Sequence, residues 1–104
     1  MDNFKTIYRI LRYLEKAMDY DEPDMEQISA GTLKISEQRW LAIMEMLARE
    51  DYIEGVHIKR SIDGYVTMSY NNPHITLKGL EYLQDNSMMK KAAEIAKGIA
   101  DIVT

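Results

Sequence analysis

Between Asp24 and Tyr82 the chain carries four signals in a single order. A short helix start at Asp24 is followed by a break and by a second helix capped at Ser36. Two strand-like runs flank an Asp63-Gly64 turn, and a further helix opens at Thr76. A hairpin strung between helices must lay one face on them, because an isolated two-stranded ribbon cannot bury enough surface to be stable. The order therefore predicts an α+β chain in which a hairpin leans on a helical core.

The helical segments show their inner faces by spacing. Asn3 to about Met18 reads as the first helix, with Phe4, Ile7, Tyr8, Leu11, Leu14 and Met18 at helical intervals as its core face. Asp19 to Pro23 is polar and ends in proline, so it reads as a connection. Asp24 is a good N-cap, with Gln27 placed as in a capping box, and Ile28 and Leu33 face inward from this short second helix. Ser36 caps the third helix, and Glu37 suits its dipole. Its inner stripe is Trp40, Ile43, Met44 and Leu47, and its outer face is Gln38, Ala42, Glu45 and Arg49.

Register decides what the hairpin can do. With a two-residue Asp63-Gly64 turn, Ile58 opposes Ser69 and Lys59 opposes Met68, so each face mixes apolar with polar side chains. A three-residue Ile62-Asp63-Gly64 loop, with Gly64 left-handed as a bulge, shifts the pairing by one. Val56 then faces Tyr70, Ile58 faces Met68 and Arg60 faces Val66, while His57/Ser69 and Lys59/Thr67 fall on the other side. One face becomes apolar, so this register is preferred. Asn71-Asn72-Pro73 reads as a turn after it, and Thr76 caps a fourth helix with Leu77, Leu80 and Leu83 inward. Ser87 to about Val103 reads as a fifth helix whose apolar stripe covers about half its circumference, wider than the ~100° that one contact needs. The wiring is that of a winged helix-turn-helix: a three-helix core, a β-hairpin wing and additional C-terminal helices. The expected layout is one domain over 1–104, with the helix-turn-helix at about 24–50, the wing at about 52–70 and the C-terminal helices at about 76–103.

Composition narrows the function classes. A chain of 104 residues matches one domain. With no cysteine there is neither a disulfide framework nor a thiolate metal site, which suits a reducing cytoplasm. The N-terminus mixes charge with apolar residues and is not a signal peptide, and no apolar run is long enough to span a membrane. Net charge is −4, whereas dedicated nucleic-acid binders usually carry a basic excess. The charge is also uneven. Residues 1–18 hold four bases and two acids; Asp19, Asp21, Glu22, Asp24 and Glu26 then follow with no base among them.

The stretch from Met25 to Gly55 resembles the helix-turn-helix and first strand of winged-helix regulators, and ITLKGLEYL resembles the threonine-x-x-glycine helix start that often follows the wing. Two positions depart from that pattern: Lys34 stands where a glycine often closes the second helix, and Asp51 where one often ends the third. Over essentially its whole length the chain is similar to the YjcQ-like family of small proteins in Firmicute bacteria and their prophages, through FKTIYRILRYLEKAMDY, ITLKGLEYL and NSMMKKA. That resemblance implies a winged-helix-like fold and a prophage setting, with suggestions that include a phage structural role. It brings no catalytic residues.

Nothing in the residues themselves points to an enzyme. Nucleophile elbow, phosphate loop and HExxH motif are absent, and the five glycines are isolated. No metal or other cofactor is expected. The two histidines, His57 and His74, have no ligand-like partner spacing. Asp19-x-Asp21 opens like a calcium loop, but Pro23, Asp24 and Ala30 occupy its later ligand and glycine positions.

Two function classes stay open. As a DNA-binding transcriptional regulator, the chain would present Gln38, Arg39 and Arg49 to base edges of double-stranded DNA, with His57, Lys59 and Arg60 on the phosphate backbone. Glu45 stands i,i+4 from Arg49, where the two are expected to pair. As a protein-interaction module, virion-associated or not, it would use the same scaffold without nucleic acid. Its contact surface would be the acidic segment, the basic stripe Lys5, Arg9, Arg12 and Lys16, which suits an acidic partner or nucleic acid alike, or the methionine- and alanine-rich fifth helix. That helix is also the expected seam of a homodimer.

Overall fold

The computed structural model describes residues 2–86. Within them lie four α-helices and a two-stranded antiparallel sheet. Helix α1 spans Asn3–Lys16 and runs on into a 3-10 turn, Ala17–Asp19. A second 3-10 turn, Met25–Ile28, leads into α2, Ala30–Leu33, and then α3, Glu37–Arg49. Strands β1, Ile53–Arg60, and β2, Val66–Ile75, precede α4, Leu77–Asp85. The order is compatible with the winged arrangement expected from sequence. Among the described residues no helix is long and apolar enough to cross a membrane. The expected fifth helix, Ser87 to Val103, lies outside the described residues.

Each helix starts where a short polar side chain takes up orphan amide protons. Asp2 accepts from the amide of Phe4, Asp24 from that of Glu26, Ser36 from that of Arg39 and Thr76 from that of Gly79. One cap was not anticipated. What reads in sequence as a single second helix is two pieces, because Ser29 starts afresh and accepts from the amide of Thr32 at 3.2 Å. The Thr32 hydroxyl donates back to the carbonyl of Glu26 at 2.6 Å, locking the step between the pieces.

Among the described residues, the two departures from the glycine pattern sit at two of the three non-glycine residues with positive φ. Lys34 closes α2 in the left-handed region at φ 59°, and Asp51 follows α3 at φ 64°. Both positions demand that conformation, and both hold it with a side chain that pays a steric cost there. Around Asp51 the structure compensates: its carbonyl accepts from the Thr76 hydroxyl, and the Tyr52 carbonyl accepts from the Thr76 amide at 3.1 Å. The start of α4 is thereby fastened to the end of α3.

The core lies between α1, α3, the base of the hairpin and α4. Ile10, Leu11 and Leu14 of α1 meet Ile28, Leu33, Trp40, Ile43, Met44 and Leu47, with Ile53, Val56, Ile75 and Leu83 closing it. Trp40 does more than fill space: its indole N–H donates to the carbonyl of Ile28 at 2.7 Å, tying α3 to the preceding 3-10 turn. The inner stripe read for the third helix is buried throughout.

The hairpin pairs in the preferred register, with Val56 opposite Tyr70, Ile58 opposite Met68 and Arg60 opposite Val66. Gly64 has φ 89° and its amide donates to the Ser61 carbonyl, so the three-residue loop forms as read. Val56 is buried, and Ile58 and Met68 pack half-buried against the core.

Three readings are corrected. Asn71-Asn72-Pro73 is not a turn that ends the sheet. β2 continues to Ile75, and the three residues bulge around Gly55, so that pairing resumes with Glu54 opposite His74 and Ile53 opposite Ile75. Gly55 at φ 81° makes room, since a Cβ there would lie 2.5 Å from the Asn71 carbonyl oxygen. Secondly, Phe4 and Met18 do not line the core; both are exposed, while Ile10 and Thr6 are buried instead. The inward stripe of α1 centres on Thr6, Ile10 and Leu14, leaving Phe4 on its margin, and Met18 falls in the tighter 3-10 turn that rotates it outward. Thirdly, Leu77 is 73% exposed. It stands about 200° around the helix from Gly79, and Gly79 is the residue pressed inward, with space for no Cβ against the Tyr52 carbonyl.

Candidate interaction surfaces

Three surfaces carry the residues singled out above. The first is the outer side of α3. Gln38, Arg39, Ala42 and Met46 are exposed there, around a shallow depression of about 420 Å³ that Asn3, Ser36 and Ile43 also line. Arg39 does not project freely: its guanidinium donates to the Asn3 side-chain oxygen at 2.6 Å, binding the N-terminal turn of α3 to that of α1. Met46 was not singled out from the sequence, although it stands one turn from Ala42 on the outer face.

The second surface is the hairpin. Arg60 turns to α3 and pairs with Glu45 at 2.6 Å. The hydrogen bond from Arg60 is the main reason why the Glu45 carboxyl is held below the ordinary glutamate range, with the charges of Arg60 and Arg49 adding to it. The same bond raises the Arg60 guanidinium. The expected Glu45–Arg49 pair is therefore replaced. Glu45 reaches across to the hairpin, and Arg49 lies 3.9 Å from Glu50. Local i,i+4 spacing lost to a tertiary partner whose guanidinium meets the carboxylate at closer range. His57 and Lys59 are exposed on the opposite face of the hairpin from Arg60, across from Ser69 and Thr67. The six candidate DNA contacts thus do not share one basic surface. Two sit at the start of α3, one at its end, one is folded back onto it, and two face away on the far side of the hairpin. On the core-facing side of the hairpin, partial burial pushes the Tyr70 hydroxyl up, helped by the charges of Glu26 and Glu37.

The third surface is the back of α1. Lys5, Arg9, Arg12 and Lys16 are all exposed. Three of them, Arg9, Arg12 and Lys16, line a groove of about 420 Å³ together with Tyr8, Tyr13, Gln27 and Leu33. Tyr13 is fixed there, because its hydroxyl oxygen accepts from the Asp24 amide at 2.8 Å. Arg12 pairs with Glu15 along the helix. The stripe was legible as a row of charges. That Tyr13 and Gln27 turn one side of it into a concave site depends on the 3-10 turn folding alongside, which no local signal encodes.

The described residues define a small α+β protein with a helix pair, an antiparallel hairpin packed on it and a closing helix. A family model described as YjcQ protein matches residues 8–102, and the chain belongs to that family. Comparison with curated proteins and with solved structures finds no match.

Proposed function

We propose that this chain is a non-enzymatic winged helix-turn-helix module, of the bacterial and prophage setting its family resemblance implies, that works by binding protein rather than by reading DNA. One observation carries the choice. The face of α3 that a DNA reader would present is centred on Ala42, Glu45 and Met46, not on a row of donors. Glu45 puts a carboxylate where phosphates would approach, and it occupies the arginine best placed to offset it. Arg39 is engaged by Asn3. Electrostatic attraction to phosphate supplies essentially all non-specific DNA affinity, and in this acidic chain the cations of α3 and the hairpin are too dispersed to supply much of it. A shallow depression floored by Ile43 and edged by Met46 and Ala42 suits an apolar side chain of a protein partner instead.

The test is titration with mixed-sequence duplex DNA at low and moderate salt, read by fluorescence anisotropy. The expected result is no saturable binding at low salt. Binding that weakens as salt rises, and that is lost in Arg39→Ala and Lys59→Glu, would overturn the reading in favour of a regulator.

A further inference from the structure

We propose that the groove on α1 docks an acidic segment of a partner protein, a stretch of Asp and Glu with apolar residues interspersed. Arg9, Arg12 and Lys16 would hold its carboxylates, and Tyr8, Tyr13 and Leu33 its apolar side chains. The inference rests on the protein-binding reading above but uses a different surface from the α3 depression.

Four observations converge on it. The cations stand one helical turn apart along one wall, spaced about 5 Å per turn, so successive carboxylates of an extended peptide can each find a partner. Among the described residues, Arg9 and Lys16 make no ion pair. Arg12 gives Glu15 one hydrogen bond, and its guanidinium has further N–H donors to offer. Aromatic and aliphatic side chains complete the lining: Tyr8 and Tyr13 flank the cations on the same helix and are half-buried, and the buried Leu33 of α2 reaches the groove from beside it. Tyrosine with arginine is a pairing that interface centres favour.

The fourth observation separates an acidic peptide from nucleic acid. The acidic segment Asp19, Asp21, Glu22, Asp24 and Glu26 meets this groove at Asp24, whose amide is bonded to Tyr13 and whose carboxylate lies 3.4 Å from the Gln27 side chain. A phosphate backbone carries charge at every nucleotide, so a strand long enough to fill the groove runs on into that negative segment. A peptide can be acidic for the length of the groove and neutral or basic beyond it. The same border makes like-charge rejection part of the specificity.

The experiment uses the full chain and a fluorescein-labelled peptide of alternating glutamate and leucine. Comparison probes are a lysine–leucine peptide of equal length and a single-stranded oligonucleotide of equal charge. The expected result is saturable binding of the glutamate peptide alone, weakened about tenfold in Arg9→Glu/Lys16→Glu, two reversals at exposed sites worth about 1.4 kcal/mol together. Circular dichroism melting of that variant should match the parent, since neither side chain is packed in the core. A milder Arg9→Gln variant should lose less. Failure of the glutamate peptide to bind overturns the proposal, as does equal or tighter binding of the oligonucleotide. Salt-sensitive self-association abolished by the same double variant also overturns it, because a second copy would then fill the groove. The Arg39 and Lys59 variants assign any duplex binding to α3 and the hairpin, so failure of the protein-binding reading is distinguishable from failure of this proposal alone.

Discussion

The two ends of the hairpin share a chemistry and differ in what surrounds it. Each turns on a glycine with positive φ, Gly55 at the base and Gly64 at the tip. At the tip a Cβ would meet nothing within 4 Å; at the base it would meet the carbonyl oxygens of Asn71 and Asn72 at 2.5 and 2.6 Å. The apolar neighbours diverge in the same way. Ile53 is 1% exposed, whereas Ile62 is fully exposed. One glycine is present because the backbone must turn, the other because two strands must touch while turning. The comparison shows that the base belongs to the core and the tip to the surface, although the local sequence signals at the two ends look alike.

Substitution at the base should have the largest effect. Gly55→Ala adds backbone strain to a clash that the bulge cannot absorb, for a loss on the order of 4 kcal/mol by urea unfolding. A loss no larger than that of Gly64→Ala would break the distinction. Ile53→Ala should cost about 3 kcal/mol through the cavity it leaves, while Ile62→Ala should shift the melting temperature by less than the scatter of the measurement. Gly64→Ala should cost about 1 kcal/mol, from φ alone. A smaller effect than that of Gly64 belongs to the pair that joins the tip half of the hairpin to α3. Because the Arg60 bond lowers the folded-state pKa of Glu45, its contribution is present above the unfolded glutamate pKa and is lost as pH falls through the lower folded value. Carbon-detected NMR titration should place the Glu45 midpoint below that of an ordinary glutamate, and Arg60→Gln should return most of the shift.

How far each element was legible follows from the range of the interaction behind it. The caps at Asp24, Ser36 and Thr76 act within three residues, and all three form. The hairpin register was recoverable because a slip by one exchanges every side chain between faces, and only one pairing gathers Val56, Ile58 and Met68 together. Lys34 and Asp51 were visible as departures from glycine, and both adopt the conformation that makes them departures. The misreadings of Phe4, Met18 and Leu77 share a cause. Helical spacing shows that an apolar stripe exists, but its centre depends on what lies opposite, and these residues sit at helix ends beyond the reach of the core. Asn71-Asn72-Pro73 has the composition of a turn and is held in a strand by Gly55, sixteen positions earlier.

The candidate surfaces divide along the same line. Which side chains are charged, and that four of them line one side of α1, follow from the order of residues and the pitch of a helix. Whether those charges are available was settled by tertiary contacts: Arg60 against Glu45, Arg39 against Asn3, and Gln27 and Leu33 brought beside Arg9, Arg12 and Lys16. Periodicity and capping are properties of neighbouring residues, so the sequence alone determined α1, α3, α4 and the hairpin register, with the inward faces of α3 and the hairpin. Pairing between distant side chains depends on where the packed core sets them down. For that reason only the folded chain decided which cations are spent within the molecule and which stand open to a partner.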